Sequence, residues 1–232
     1  MIAHYAGGES GARGAARSGS VLVVVDAFRA STSISLLVSR GALVRTVASI
    51  EEAASLKADL RVGERGSAKV SGFDFGNSPT EILHASIPRG ATVAMSTTNG
   101  TRVIEAGRGA AAIYTGAFVN AGRLADRLYT RFPGSEVVVV GCGWEGRRAA
   151  EDELAAGAIL HRLGERGADL DRRARTVTGR YLSRSLSSLK TTSAARRLLR
   201  LDQGDDLEAC LTEDSIPAVP RLLDGAFSEE SE

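Results

Sequence analysis

The chain has 232 residues, of which 43% are hydrophobic and 25% are charged, as in an ordinary globular protein that buries a core. Its formal net charge of +1 and its aromatic content of 5% argue against a dedicated nucleic-acid binder, which needs a basic excess and rings for base stacking. Two cysteines without CxxC spacing and three scattered histidines argue against a disulfide scaffold, a structural zinc site and catalysis led by histidine.

The first twenty residues are rich in Gly, Ala, Arg and Ser, and we interpret them as a variable N-terminal segment. They lack the apolar stretch of a secretory signal. The aliphatic run that follows, residues 21–25, is far shorter than the roughly 20 residues needed to cross a bilayer. We therefore expect a cytoplasmic protein with no membrane partner.

Short β-branched runs alternate with helical stretches over most of the chain, which predicts an α/β fold. The nearly continuous apolar run 21–26 predicts a buried strand. A helix is predicted next, with Ser31, Thr32 or Ser33 available as its N-cap and Gly41 just past its end. Further strands are predicted over 42–47, 60–63, 91–95, 111–115 and 136–140. Helices are predicted over 29–39, 50–57 (capped by Ser49), 81–85 (capped by Thr80), 101–107, 121–129 and 151–164.

These elements predict a layered sheet with flanking helices, either as a single domain over 1–232 or as two α/β lobes with the site between them. Residues 169–200 hold nine Lys and Arg against two Asp, and residues 201–232 hold ten Asp and Glu against Arg221 alone. We favour pairing of the two blocks within the fold over a polyanion site in the basic block. Residues 228–232 are expected to be a frayed tail.

The loop at 96–101 has a composition suited to anions. Ligands of open α/β sheets collect beyond the carboxyl ends of the strands, where helix N-termini supply free N–H groups. Here Thr97, Thr98 and Thr101 offer hydroxyls, Asn99 an amide and Gly100 an unhindered backbone. A simple capped turn explains the same residues equally well. The chain has neither a Walker loop nor GxGxxG.

Asp26 stands at the end of the first predicted strand, where a carboxylate costs free energy unless it is paired, bound to metal or catalytic. Arg29 is the obvious partner for a purely structural role. Glu64 and the acids at 151–153 bring further carboxylates to strand-end loops, although acids at a helix start are commonly dipole partners. Together with Arg65 and the hydroxyls they would suit Mg²⁺ and a phosphate.

Six segments resemble the 2-phosphosulfolactate phosphatase family, in family order. They are VVDAFRAST (24–32), GERG (63–66), GFDFGNSP (72–79), TTNGT (97–101), FVNA (118–121), and the Glu-Asp pair at 151–152 followed by Ala-Gly at 156–157. The C-terminal third matches more loosely, through Asp206, Cys210, Asp214 and residues 219–220. A cysteine common before the Glu-Asp pair falls at Gly141, with Cys142 one place later, which weakens any thiolate mechanism.

The resemblance implies a Mg²⁺-dependent phosphatase that hydrolyses the phosphate ester of a 2-hydroxy acid, 2-phosphosulfolactate or a similar small polyanion. In some archaea the family serves coenzyme M biosynthesis, whereas bacterial members often lack that pathway. The expected partner is thus a small anionic phosphate and not a nucleic acid, and a homo-oligomer stays open. The alternative is a protein that binds an anionic metabolite through the same loops without hydrolysing it.

The resemblance also suggests roles for individual residues. Asp26, Arg29, Glu64 and Arg65 would be catalytic, and Asp26, Glu64 and Asp152 would bind Mg²⁺. The substrate would be bound by Asn77, Ser78, Thr97, Thr98, Asn99, Gly100, Thr101 and Asn120. In one route Mg²⁺ activates a water molecule for attack. In the competing route the phosphoryl group is transferred to Asp26 as an aspartyl-phosphate.

Overall fold

The computed structural model describes residues 1–230. Its strands are β1 Ile2–Gly7, β2 Val21–Val25, β3 Leu43–Thr46, β4 Leu60–Arg65, β5 Ala68–Lys69, β6 Thr92–Ser96, β7 Ala112–Thr115, β8 Glu136–Gly141, β9 Asp169–Leu170, β10 Pro220–Leu223 and β11 Ala226–Glu229. Its helices are α1 Gly8–Ser18, α2 Ala30–Ser39, α3 Ile50–Ser55, α4 Pro79–His84, α5 Gly100–Ala106, α6 Ala121–Arg131, α7 Ala150–Glu165, α8 Arg172–Leu182, α9 Ser193–Arg200 and α10 Asp205–Leu211. The α/β fold expected from the sequence is confirmed.

All these strands belong to one mixed sheet, in the order β5-β4-β6-β3-β11-β10-β7-β2-β8-β1-β9. One parallel group contains β4, β6 and β3, and a second contains β7, β2, β8, β1 and β9. The antiparallel hairpin β10–β11 joins the groups, because β10 pairs with β7 and β11 pairs with β3, both antiparallel. The two groups therefore run in opposite directions along the sheet.

The core lies on both faces of the sheet. The buried strand β2 supplies alternate side chains to each face, Val21, Val23 and Val25 to one and Leu22 and Val24 to the other. This is why β2 appears in the sequence as a continuous apolar run. On the first face β2 packs against α7, and on the second face against α2 and α5. No helix among the described residues is long and apolar enough to cross a bilayer.

The structure corrects two of the expected helix caps. Helix α2 begins without a side-chain cap, and Ser31 instead accepts a hydrogen bond from the backbone of Asp26, 2.8 Å away. Helix α4 is capped by Ser78 and not by Thr80, because Pro79 takes the first helical position and the Ser78 hydroxyl accepts from the Glu81 N–H. Ser49 caps α3 as predicted.

Both ends of the chain contain elements that the sequence did not predict. Residues 2–18, inside the segment interpreted as variable, form β1 and α1. The frayed tail predicted for 228–232 is wrong for its first part, because Ser228 and Glu229 pair with β10 and Glu230 is buried, accepting a 2.9 Å hydrogen bond from Tyr114. Residues 231 and 232 lie outside the described part of the chain.

The expected pairing of the basic block with the acidic block is also wrong. Among the described residues, Lys190 and Glu208 form the single ion pair that joins the two blocks. The acidic residues Asp206, Asp214 and Glu230 pair with arginines outside the basic block. Most of the positive charge of residues 169–200 is therefore not neutralised by the acidic block.

Candidate active site

Asp26 directly follows β2 and has a largely free carboxylate. Its Oδ1 atom accepts only a long hydrogen bond of 3.4 Å from the Ala30 N–H, and Oδ2 accepts none from the described residues. Burial, and then the neighbouring Glu64 carboxylate, raise the pKa of Asp26 to about 6. A carboxylate kept in this state without an ion partner is available to bind a cation or to react.

Gly100, at the start of α5, leaves a small space beside Asp26. A Cβ atom at this position would lie 3.1 Å from Asp26 Oδ2, 3.2 Å from the Ala30 methyl group and 3.4 Å from Thr97 Oγ1. Within the described structure, the buried hydroxyls of Thr97 and Thr98 have no hydrogen-bond partner. Buried hydroxyls without partners are costly. The space therefore has polar walls that a bound anion or ion would satisfy.

Glu64 joins the loop after β4 to the loop after β6. One carboxylate oxygen accepts from the Ser67 N–H at 2.7 Å, and the other accepts from the Thr98 N–H at 2.6 Å. The neighbouring Arg65 is exposed and donates to the Glu64 carbonyl at 2.8 Å and to the Ser96 hydroxyl at 3.2 Å. Glu64 thus shapes the 96–101 loop and lies near enough to Asp26 to influence its pKa.

Asp152, in the first turn of α7, ties the loop after β2 to the loop after β8. Its two carboxylate oxygens accept from the Ala27 N–H at 2.9 Å and from the Gly143 N–H at 2.8 Å. Burial, then Asp26 and Glu151, raise the pKa of Asp152 well above its usual range, and burial also raises the pKa of Glu151. Asp26, Glu64, Glu151 and Asp152 therefore form one group of interacting carboxylates.

Arg29 points away from solvent and is 2% exposed. Its guanidinium donates to Asp206 at 2.5 Å, to the Gln203 side chain at 2.8 Å and to the Ser67 carbonyl at 2.9 Å. The pairing with Asp26 that the sequence suggested is not seen, because Asp206 of α10 takes that role. Both terminal nitrogens of Arg29 thus donate to groups within the protein, and they join the segment after β2 to Asp206, Gln203 and Ser67.

The GFDFGNSP segment is connected to the same ion pair. Ser78 donates its hydroxyl to Asp206 at 2.7 Å, and the Thr80 N–H donates to the same oxygen at 3.0 Å. The Asn77 side-chain oxygen is buried without a partner among the described residues. Ser78 therefore supports Asp206 and Arg29, whereas the Asn77 side-chain oxygen and the Thr80 hydroxyl are buried without described partners.

Two other residues predicted to bind substrate have internal partners. Asn120 is fully buried, donates to Ser35 and to the Ala218 carbonyl, and accepts from the Ala117 N–H. Thr101 donates its hydroxyl to the Thr97 carbonyl at 3.0 Å. The structure thus brings Thr97 and Gly100 to Asp26 and Thr98 to Glu64, whereas Asn120 and Thr101 brace the backbone.

Arg197 of α9 is a cation at this site that the sequence patterns did not single out. Its guanidinium lies over the Trp144 ring, 3.8 Å from the centroid, and its Nε donates to the Ser67 hydroxyl at 3.2 Å. Its charge partly offsets the rise that burial causes in the pKa of Glu151. Arg197 was one of nine cations in the basic block, and no local spacing pairs it with a tryptophan 53 positions earlier.

Cys142 is buried beside the carboxylates. Burial, and then Asp26 and Asp152, raise the pKa of its thiol well above the usual range. The side chain therefore remains a neutral thiol at physiological pH, which agrees with the departure from the cysteine position of the family. A nucleophilic role for Cys142 finds no support in its surroundings.

The donor set fits Mg²⁺. No three His, Cys, Asp or Glu side chains within residues 1–230 converge as a complete metal centre. However, Mg²⁺ is typically held by one or two carboxylates together with water and substrate phosphate. Asp26 offers the free Oδ2 atom, and the oxygens of Glu64 and Asp152 each accept one described hydrogen bond, which leaves one lone pair. A divalent cation would also offset the burial and the carboxylate repulsion that raise the pKa values of Asp26 and Asp152.

A cavity of about 500 Å³ opens beside Asp152. Asn99 and Arg102 line one part of it, and the loop at 141–149 lines another. Its volume lies within the usual range for small-molecule sites. The space is therefore sufficient for a small acid next to the carboxylate group.

Comparison with known proteins agrees with this geometry. The family model described as 2-phosphosulpholactate phosphatase matches residues 10–225. Proteins named "Probable 2-phosphosulfolactate phosphatase" from Synechocystis sp. and Gloeobacter violaceus are 35% and 37% identical, covering 87% and 86% of this chain and 88% and 86% of their own. A protein of the same name from a Synechococcus strain is 38% identical over 87% of this chain and 88% of its own. The chain therefore belongs to the 2-phosphosulfolactate phosphatase family and is a phosphoric monoester hydrolase.

Proposed function

We propose that this protein is a Mg²⁺-dependent phosphatase that hydrolyses the phosphate ester of a 2-hydroxy acid, with 2-phosphosulfolactate as the first substrate to test. The relatives at 35–38% identity carry that substrate in their names. We also propose that the protein is cytoplasmic and that its product is sulfolactate, of the kind that coenzyme M biosynthesis uses. The oligomeric state does not enter the proposal.

The observation that carries this proposal is the space between Asp26 and the 96–101 loop. Asp26 Oδ2 and Thr97 Oγ1 lie 3.1 Å and 3.4 Å from the position that a Cβ atom would take at Gly100. Thr97 Oγ1 has no hydrogen-bond partner among the described residues, and the described backbone hydrogen bond to the Asp26 carboxylate goes to Oδ1. A cation requires a free carboxylate oxygen, and a phosphate oxygen bound next to that cation requires a free hydroxyl as its hydrogen-bond donor. No internal role of these two atoms competes with this use.

We assign separate roles in catalysis to the hydroxyls and the carboxylates of the site. The Thr97 and Thr98 hydroxyls donate to oxygens of the transferred phosphoryl group. Asp26 would hold Mg²⁺, with Glu64 or Asp152 as the second carboxylate. When bound, Mg²⁺ neutralises phosphate oxygens and lowers the pKa of a water molecule. The P–O bond to the hydroxy acid breaks, the water oxygen bonds to phosphorus, and the hydroxy acid leaves with a proton.

The structure alters the part that we assign to the arginines. Because the terminal nitrogens of Arg29 are bound to Asp206, Gln203 and Ser67, we propose that it positions the 26–31 segment and does not bind phosphate. Arg65 is exposed at the end of β4, and each of its terminal nitrogens donates a single described hydrogen bond, to an uncharged oxygen, whereas Arg197 has two terminal nitrogens without described hydrogen bonds. These two are the proposed ligands for the acid groups of the substrate.

A turnover assay tests the proposal. Release of inorganic phosphate from 2-phosphosulfolactate should require Mg²⁺ and stop with EDTA, and Asp26→Asn should abolish it. The matched control is Asp224→Asn, because Asp224 is exposed and its side chain has no described contact. Full Mg²⁺-dependent turnover by Asp26→Asn would overturn the role of Asp26, and absence of turnover on any small phosphate ester would favour the binding-protein alternative.

Metal binding has its own readout. Added Mg²⁺ should raise the melting temperature of the wild-type chain and leave that of Asp26→Asn unchanged. An equal rise in both variants would place the ion elsewhere. Rapid-quench trapping with labelled substrate then separates the two routes, because a phosphoenzyme labelled on Asp26 would exclude direct attack by water.

A further inference from the structure

A second cavity, of about 470 Å³, lies between β1 and the start of α8, outside the carboxylate group. Four of its lining residues are arginines and none is acidic. The lining consists of Tyr5, Ala6, Gly7, Arg148, Arg172, Arg173, Thr176, Val177 and Arg180. A concave surface with one sign of charge concentrates counter-ions of the opposite sign.

The positive charge of this cavity is mostly not neutralised. Among residues 1–230, Glu153 is the one carboxylate that pairs with these arginines, accepting from Arg148 and, at 2.9 Å, from Arg180. Arg172 and Arg173 have no ion pair or side-chain hydrogen bond in the described structure. Two of the four guanidiniums therefore share one carboxylate, and the other two have no described countercharge. The acidic residues Asp206, Asp214 and Glu230 do not supply the missing countercharge, because they pair with arginines outside the basic block.

The placement of Arg172 and Arg173 also has an energetic cost. They are the first two residues of α8, where the free N–H groups already carry positive partial charge. Cations at a helix start are unfavourable, and Asp171 offers the only acid there, as the N-cap. An anion bound between the two guanidiniums would remove this repulsion while also interacting favourably with the helix dipole.

We propose that this cavity is a second anion-binding site, which takes a small compound with at least two anionic groups of the phosphate or sulfonate type. Arg172 and Arg173 bind it bidentately, and Arg148 and Arg180 form the opposite wall. Tyr5, Gly7 and Arg148 also line the cavity beside Asp152, so an occupant lies next to the substrate. The site does not depend on the proposed hydrolysis.

A small ligand fits these observations better than a nucleic acid. The chain as a whole has a formal net charge of +1, and Tyr5 is the one aromatic residue in the lining. Nucleic-acid sites combine an extended basic surface with stacking rings. Four arginines around one concave space instead match a compact ligand with closely spaced charges.

Calorimetric titration of the full chain with inorganic pyrophosphate tests the site. The double variant Arg172→Gln/Arg173→Gln should bind at least about tenfold more weakly, because two charge-assisted contacts are lost. The matched control is Arg175→Gln/Arg184→Gln, which removes the same charge from exposed positions outside the cavity. Binding to the wild type should also weaken as salt is added.

Each outcome of this titration either supports or overturns the proposed anion site. Weaker binding in the first double variant alone, with phosphatase kcat/KM preserved, supports a separate anion site. If pyrophosphate binding weakened equally in both double variants, the attraction would be non-specific. If the wild type did not bind pyrophosphate, the proposed anion site would be wrong. A gel shift with nucleic acid that the Arg172 and Arg173 substitutions abolish would assign the surface to a nucleic acid instead. None of these results depends on whether the protein hydrolyses an ester.

Discussion

Arg29 and Asp206 form an ion pair of 2.5 Å in which both side chains are almost wholly buried, at 2% and 1% exposure. The pair joins the segment after β2, which carries Asp26, to α10, which lies about 180 residues later in the chain. Asp206 also accepts from Ser78 and Thr80, so a single carboxylate connects three separate segments. The position of Asp26 therefore depends on a residue that does not itself contact it.

Replacing Asp206 by Asn should destabilise the protein strongly. The substitution preserves the shape but leaves the Arg29 guanidinium buried without its countercharge, which costs roughly 3–5 kcal/mol. Urea unfolding measures the change in the free energy of unfolding. Asp205→Asn is the control, since Asp205 is exposed in the same helical turn and should change stability by at most about 0.5 kcal/mol. A loss below about 1 kcal/mol for Asp206→Asn would show that the pair is dispensable.

Gly100→Ala should separate activity from stability. The new methyl group would fill the space between Asp26 Oδ2 and Thr97 Oγ1, so kcat/KM should fall on the order of 10²-fold. The melting temperature should change little, because Ala is a good helix former. Gly179→Ala in α8, with nothing within 4 Å of the added atom, should leave activity intact and is the control. Unchanged turnover in Gly100→Ala would show that the space beside Asp26 is not part of the active site.

The raised pKa of Asp26 predicts how stability depends on pH in metal-free protein. Between its ordinary pKa and about 6, the folded chain keeps a proton that the unfolded chain has lost. The free energy of unfolding therefore falls as pH rises through this window, and it stays lowered above it. Asp26→Asn should remove this contribution and should melt at a higher temperature than the wild type at pH 7.5, with EDTA present. A lower melting temperature there would contradict the predicted sign.

A double-mutant cycle can measure the contact between Trp144 and Arg197. We expect a coupling free energy of about 0.5–2 kcal/mol between Trp144→Leu and Arg197→Gln, from the guanidinium stacked on the ring. The exposed Arg200 on the same helix provides the control cycle, for which the coupling should be close to zero. A zero coupling in the Arg197 cycle would mean that α9 is not fastened to the loop at 141–149 through this contact.

Local patterns in the sequence predicted most of the repeated strand–helix units. The strands β2, β3, β4, β6, β7 and β8 and the helices that follow them agree with prediction, because apolar runs, caps and glycines act over a few residues. β1 was missed because alternate residues of the strand are not consistently apolar. The hairpin β10–β11 was missed because residues 201–232 were interpreted as an acidic block that pairs with the basic block, and residues 228–232 as a frayed tail.

The site was predictable in its residues but not in their partners. Asp26, Glu64, Asp152 and Thr97 were named from strand-end positions and from the family resemblance, and the structure brings them together. The pairing of Arg29 with Asp206 spans 177 positions of the chain, and the contact of Arg197 with Ser67 spans 130. Nothing in the spacing of nearby residues encodes such contacts.

The hairpin β10–β11 has a consequence for biosynthesis. Residues 220–229 are made after every other strand, yet they sit in the middle of the sheet and join its two parallel groups. While the ribosome is still translating, each group can collapse on its own, but β3 and β7 have exposed edges that can pair with other chains. Extensions after residue 229 that delay release of this hairpin are therefore expected to favour aggregation of newly made protein.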